Sequence, residues 1–136
     1  QVTKPQFSRV HAALAAEAAM VATNINTLSL RVDALLRRHG KAIIDRQFHQ
    51  QRLANVAVEL YVSVAVLSRT TWELERAGES GAAAELDCAR VFIPAAMRRA
   101  RRQLRALRTN QDARTKSIAE RALESGNLAP ETPTDR

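Results

Sequence analysis

Three histidines, His11, His39 and His49, are the side chains of this sequence that could bind a metal ion together with its glutamates. A di-iron bundle of the ferritin kind takes its ligands from Glu-x-x-His spacings, and His-Glu-x-x-His is another spacing that places two ligands on one face of a helix. Neither spacing occurs here. We therefore expect no metal site, and we assign no catalytic or cofactor-binding residue to the chain.

A line of polar residues, Arg52, Asn55, Glu59 and Ser63, crosses an otherwise apolar segment. Residues three and four apart share a helix face, so these side chains point the same way. Glu59 could act as a buried acid in a pocket. A buried carboxylate without a partner costs several kcal/mol, however. We therefore expect that Glu59 pairs with an arginine from another helix, or that this face meets water.

The positive charge is concentrated in one region. Residues 98–116 contain eight basic residues and one acidic residue, which equals the whole net charge of +7. The candidate basic interaction surface consists of Arg98, Arg101, Arg102, Arg105 and Arg108. An anionic membrane would attract it at about 1 kcal/mol per cation. Alternatively, these arginines could contact an acidic protein surface or simply face solvent. Nucleic acid is disfavoured because aromatic residues are not interleaved and no DNA-reading motif occurs.

Apolar residues recur every three or four positions from Val10 to Leu35, which is typical of one face of an α-helix. Similar stripes predict four helices over about 8–39, 41–77, 82–108 and 111–125. Gly40 makes the first connection tight, so the first two helices should be antiparallel neighbours. We predict an all-α protein, a four-helix, mostly antiparallel bundle with short loops, in which residues 1–126 form a single domain and residues 127–136 a disordered tail.

Three local features of the sequence lead to further predictions. Pro94 lies inside the third helix and predicts a kink or a break near residues 91–93. Cys88 has no partner cysteine and is expected to be a buried, inert thiol. The apolar residues of Val56–Leu67 do not keep to one stripe, which predicts a helix covered on most sides by its neighbours.

The region from Leu35 to Arg69 contains a series of short motifs: His39-Gly40-Lys41, Ile44, Gln47-Phe48, Gln51-Arg52-Leu53-Ala54, Leu60-Tyr61 and Val66-Leu67-Ser68-Arg69, with a looser one upstream at His11-Ala12-Ala13-Leu14. In this order and at these spacings, the region resembles the C-terminal domain of the very-long-chain acyl-CoA dehydrogenase family. Trp72, Pro94 and the arginine cluster depart from the family pattern.

The resemblance implies a non-catalytic C-terminal module of a flavoenzyme of fatty acid β-oxidation. In that family FAD and the catalytic glutamate belong to a body that precedes this domain. The implied partners are the catalytic domain of the same protein, a second subunit and an anionic membrane surface. The implied location is intracellular, either the cytoplasm of a bacterium or the mitochondrial matrix and inner membrane of an animal. Because Gln1 is not an initiator Met, we expect a piece of a longer protein.

Two alternatives stay open. The chain could be a free-standing helical module that binds a protein or a membrane. It could also be a small enzyme, since Leu30–Leu36 resembles the first helix of chorismate mutase, whose chemistry needs only cationic side chains around a dicarboxylate. Activity on chorismate would distinguish the second alternative from the dehydrogenase-like reading.

Overall fold

The structure is a computed structural model that describes Phe7 and residues 9–40 and 47–126. Its elements are a 3₁₀ turn at Ala12–Leu14 and four helices: α1 (Ala15–His39), α2 (Gln47–Gly81), α3 (Ala83–Ala106) and α4 (Asp112–Ser125). The predicted all-α, four-helix architecture is confirmed.

Contacts at both ends of α1 and α2 show that these helices are antiparallel. The ring centroids of His39 and His49 lie 6.0 Å apart, where α1 ends and the described part of α2 begins. At the other end, the backbone N–H of His11 donates to Oγ1 of Thr71 at 3.2 Å. The arrangement predicted for the first two helices is therefore confirmed.

Helix α3 returns along α2 and so lies parallel to α1. The guanidinium of Arg90 donates to the carbonyl of Ala13 at 3.2 Å, which brings the first half of α3 to the start of α1. The regular part of α2 ends at Gly78, where φ is 71° and ψ is 172°. Residues other than glycine rarely adopt this backbone conformation. The predicted helix end at Ala77-Gly78 is confirmed.

The hydrophobic core is formed by the 3₁₀ turn, the first three helices and the turns that follow α2 and α3. Its buried members are Leu14, Ala18, Val21, Val56, Leu60, Leu67, Leu74, Ala82, Leu86, Ala89, Ile93, Ala96, Met97, Ala100, Leu104 and Leu107. Helix α4 contributes no buried residue. Its predicted apolar stripe remains exposed, with Ile118 at 53% and Leu123 at 70%.

The predicted burial of Cys88 is wrong, and of the kink or break predicted near Pro94 the break does not occur. The helix runs from Ala83 to Ala106 without interruption. Fully buried Ile93 and Met97 flank the proline, and their packing offsets the hydrogen bond that a proline removes. Cys88 is exposed rather than buried, because the core face of α3 passes through Leu86 and Ala89 and leaves Cys88 on the opposite side.

Other predictions fall outside the described residues. These are the family match at Lys41 and Ile44 and the disordered tail at 127–136. Among the described residues, His11 caps the 3₁₀ turn, since its Nδ1 accepts the backbone N–H of Ala13 at 3.2 Å. The single-domain boundary at residue 126 stays a prediction.

Candidate functional site

Helix α2 carries two apolar stripes on nearly opposite faces. The inner stripe, through Val56, Leu60 and Leu67, packs in the core. The outer stripe repeats every three or four residues and is exposed along its length; it consists of Ala54, Val58, Tyr61, Ala65, Ser68 and Trp72. Val58 is 60% and Tyr61 77% exposed. Val56–Leu67 is helical as predicted, but its predicted enclosure by neighbours is wrong within the described chain.

The outer stripe continues into a groove of about 850 Å³ beside the N-terminal segment. Phe7 and Val10 form its apolar wall, and Ser68, Thr71 and Trp72 belong to α2. Because Ser68 and Trp72 belong to both features, stripe and groove form one surface. An exposed surface with several large apolar side chains therefore runs along α2.

Trp72 is held by two arginines that sequence reasoning did not identify. The guanidinium carbons of Arg69 and Arg76 lie 4.9 and 5.3 Å from the centroid of its ring. Both arginines also bind the Glu73 carboxylate, at 2.5 Å for Arg69 and 2.8 Å for Arg76. Hydrogen bonds from Arg76 are the main reason why the pKa of Glu73 is lowered. The i, i+3 and i+4 spacings of these residues were a usable signal.

The α2 helix also satisfies the length and composition criteria of a membrane span, the one helix among the described residues that does so. Core helices of bundles meet the same criteria. Here the inner stripe packs against α1 and α3. Glu59 on the same helix binds Arg99 of α3. We therefore interpret α2 as a bundle helix with one uncovered face.

The polar residues that lie along one face of α2 form separate contacts. The Glu59 carboxylate accepts two hydrogen bonds from Arg99, at 2.6 and 2.8 Å. The predicted pairing of Glu59 with an arginine of another helix is confirmed, and the paired side chains of Glu59 and Arg99 line a pocket of about 320 Å³. Ser63 is buried and donates to the carbonyl of Glu59 at 2.7 Å.

The predicted basic residues are all exposed: Arg98, Arg101, Arg102 and Arg105 on α3, and Arg108 in the connection that follows it. Arg101 also donates to the carbonyl of Met97 at 3.2 Å. Whether this face binds a partner stays a prediction.

An ion pair fastens α4 to α2. Arg52 donates to both carboxylate oxygens of Asp112, at 2.5 and 2.6 Å. Each of the two side chains is 18% exposed. The hydrogen bonds from Arg52 are the main reason why the pKa of Asp112 is lowered. Because α4 buries no residue of its own, we infer that this pair largely fixes where the helix begins.

We expect acid to release α4. The folded pKa of Asp112 lies below its unfolded value, so the stabilisation is fully present above the unfolded pKa of about 3.9 and is lost as the pH falls through the folded value. At neutral pH, Asp112→Asn should weaken the protection of α4 amides against hydrogen exchange by about 1.5–3 kcal/mol. In Asp112→Asn, the protection of α4 amides against hydrogen exchange should depend less on pH.

Asp87→Asn is the matched control, because Asp87 is exposed and forms no ion pair with a described residue. Equal acid sensitivity of α4 in the wild type and in Asp112→Asn would contradict the assigned role.

Metal chemistry finds no support in the side-chain geometry. In residues 9–40 and 47–126, no group of three His, Cys, Asp or Glu side chains is placed to hold a metal ion. His39 and His49 lie close together at one end of the bundle, whereas His11 lies at the opposite end. The three histidines are therefore not brought to one site.

The family model described as the ACAD9/ACADV C-terminal domain matches residues 12–128. The chain belongs to this family. Very long-chain specific acyl-CoA dehydrogenase of Rattus norvegicus, a mitochondrial protein, is 30% identical over 129 residues, which cover 91% of this chain and 20% of the relative. The Bos taurus protein of the same name has the same identity and coverage. The Homo sapiens protein is 33% identical over 89 residues, 65% of this chain and 14% of the relative.

This chain therefore spans about one fifth of the length of the rat and bovine relatives. Membership in the ACAD9/ACADV C-terminal domain family confirms the resemblance seen between Leu35 and Arg69, and the match extends it over most of the chain.

Proposed function

We propose that this ACAD9/ACADV C-terminal domain is the non-catalytic helical module of a longer, FAD-dependent acyl-CoA dehydrogenase of fatty acid β-oxidation. Its task is to pack against the catalytic body of the same protein and to stabilise a dimer. FAD belongs to that body, and none is assigned to this chain. The location is the cytoplasm of a bacterium or the mitochondrial matrix and inner membrane of an animal.

The observation that carries this proposal is the outer stripe of α2. A stripe containing Val58, Tyr61 and Trp72 in an isolated protein would hold large apolar side chains in water. Such faces mark surfaces that a partner covers. The relatives supply a candidate for that partner, because about four fifths of their length lies outside the matched region. The catalytic body is the occupant that we propose.

The test uses the longer protein encoded by the gene that contains this chain. Acidic substitutions in the outer stripe, Val58→Asp with Tyr61→Asp, should disrupt docking by roughly 3–6 kcal/mol, because burial of each apolar side chain is worth about 1.5–3 kcal/mol. Limited proteolysis should then release the helical module, while helicity of the module itself stays unchanged.

Leu30→Asp with Val91→Asp is the matched control, since both residues are exposed and apolar but lie outside the outer stripe. Equal proteolysis of the docking variant and the wild type would contradict the proposal. A start codon directly before Gln1 would favour the free-standing interaction module instead.

We further propose that the basic face of α3 contacts an anionic membrane or a partner protein. Its support is the exposure of four arginines that form no ion pair with a described residue, Arg98, Arg101, Arg102 and Arg105. Each cation near an anionic surface contributes about 1 kcal/mol, so the interaction should weaken with salt.

Changing these four arginines to Glu should abolish sedimentation with anionic liposomes, while neutral liposomes should bind neither protein. The control carries the same charge change at exposed sites elsewhere, namely Arg9→Glu, Arg37→Glu, Arg114→Glu and Arg121→Glu. If both quadruple variants bind equally well, the α3 face is not a membrane contact.

A further inference from the structure

A cavity of about 360 Å³ lies at one end of the bundle, where α1 ends and the chain passes from α3 into α4. Arg31 and Arg38 of α1 line it, together with Arg108 from the connection between α3 and α4. We propose that this cavity binds the phosphate group of a small phosphate ester. The proposal does not depend on an attached dehydrogenase body.

The lining residues of the cavity include three arginines and one carboxylate. None of the three lining arginines forms an ion pair with any residue in the described part of the chain. Asp112 is the one carboxylate among the lining residues, and Arg52 already binds both of its oxygens. A dianion in the cavity would therefore meet guanidinium groups whose planar N–H donors match phosphate oxygens.

The beginning of α4 adds backbone donors to the same cavity. Asn110, Asp112 and Ala113 belong to the lining. The Asp112 N–H is occupied by the side-chain oxygen of Asn110 at 3.0 Å. Within the described chain, the amides of Ala113 and Arg114 find no acceptor, because the backbone bonds of α4 start with Thr115. Free first-turn amides and the helix dipole both favour an anion there.

His39 and His49 also line the cavity, and the apolar part of the lining favours an ester over a free ion. Ala34, Leu35 and Leu107 contribute apolar surface beside the arginines. The volume exceeds what one phosphate group fills, and the apolar side chains would contact a carbon moiety attached to it. Soluble phosphate esters and phosphatidic acid headgroups share this chemistry.

The test is a titration of the isotopically labelled 136-residue chain with inorganic phosphate at constant ionic strength, followed by NMR. We expect saturable shifts of the amides of Arg38, Leu107 and Ala113. Arg38→Glu with Arg108→Glu should weaken binding at least about tenfold, since each charged hydrogen bond contributes about 1.5–3 kcal/mol. The milder Arg38→Gln provides the same comparison if the double variant does not fold.

Arg98→Glu with Arg105→Glu is the matched control, because both arginines are exposed on α3 and neither lines the cavity. Non-saturating shifts, or equal loss of affinity in the control, would overturn the proposal. Once phosphate binding is established, phosphatidic acid vesicles identify the source: displacement of bound phosphate indicates a lipid headgroup, and retention indicates a soluble ester.

Discussion

Ile93→Ala is expected to destabilise the bundle by about 3 kcal/mol, within the range of about 2–5 kcal/mol found when large aliphatic core residues are truncated. Ile93 is fully buried in the middle of α3 and belongs to the core shared by α1, α2 and α3. The substitution removes apolar contacts and leaves a cavity that rigid neighbouring helices cannot fill. Chemical unfolding monitored by circular dichroism should show a lower midpoint with an unchanged slope.

Val91→Ala is the control for this prediction, since Val91 precedes Ile93 by two residues on the same helix but is 74% exposed. Its effect should stay within about 0.5 kcal/mol. Comparable losses in the two variants would mean that α3 presents a different face to the core than the one described.

Gly78→Ala is expected to destabilise the protein by about 1–3 kcal/mol. Gly78 has φ 71° and ψ 172° at the point where the chain leaves the regular part of α2. Space is not the obstacle, because an added Cβ would meet no atom within 4 Å. The cost is backbone strain, since this combination of angles is essentially restricted to glycine.

The measurement is again the unfolding midpoint, with Glu79→Ala as the control at an exposed neighbouring position. Glu79→Ala should change stability by no more than about 0.5 kcal/mol. A neutral Gly78→Ala would show that the turn between α2 and α3 can change its backbone conformation at no cost.

Local patterns were sufficient for several features of this protein. The spacing of apolar residues predicted the four helices, and Gly78 predicted the end of α2. The family match between Leu35 and Arg69 was also a property of the sequence alone, and the family comparison confirmed it. The pairing of Glu59 followed from the cost of an unpaired carboxylate, although Arg99 as its partner did not.

Two of the predictions that failed concerned which face of a helix meets a neighbour, namely the burial of Cys88 and the enclosure of Val56–Leu67, and a third concerned a helix break at Pro94. Pro94 weakens an isolated helix, but burial of Ile93 and Met97 on either side keeps α3 continuous. Cysteine is a residue type that is usually buried. Only the rotation of α3 about its own axis places Cys88 on the exposed side of the bundle.

The sequence by itself determined that this chain is helical, where its helices turn, and to which family it belongs, because helix periodicity, capping residues and family motifs are local properties. The tertiary structure alone decided that α2 has one buried and one uncovered apolar stripe, since two stripes of one helix are equivalent until neighbours cover one of them. It also brought Arg31, Arg38 and Arg108 around one cavity. Arg31 and Arg38 lie seven residues apart on α1, but Arg108 belongs to the connection after α3, and no local spacing relates it to them.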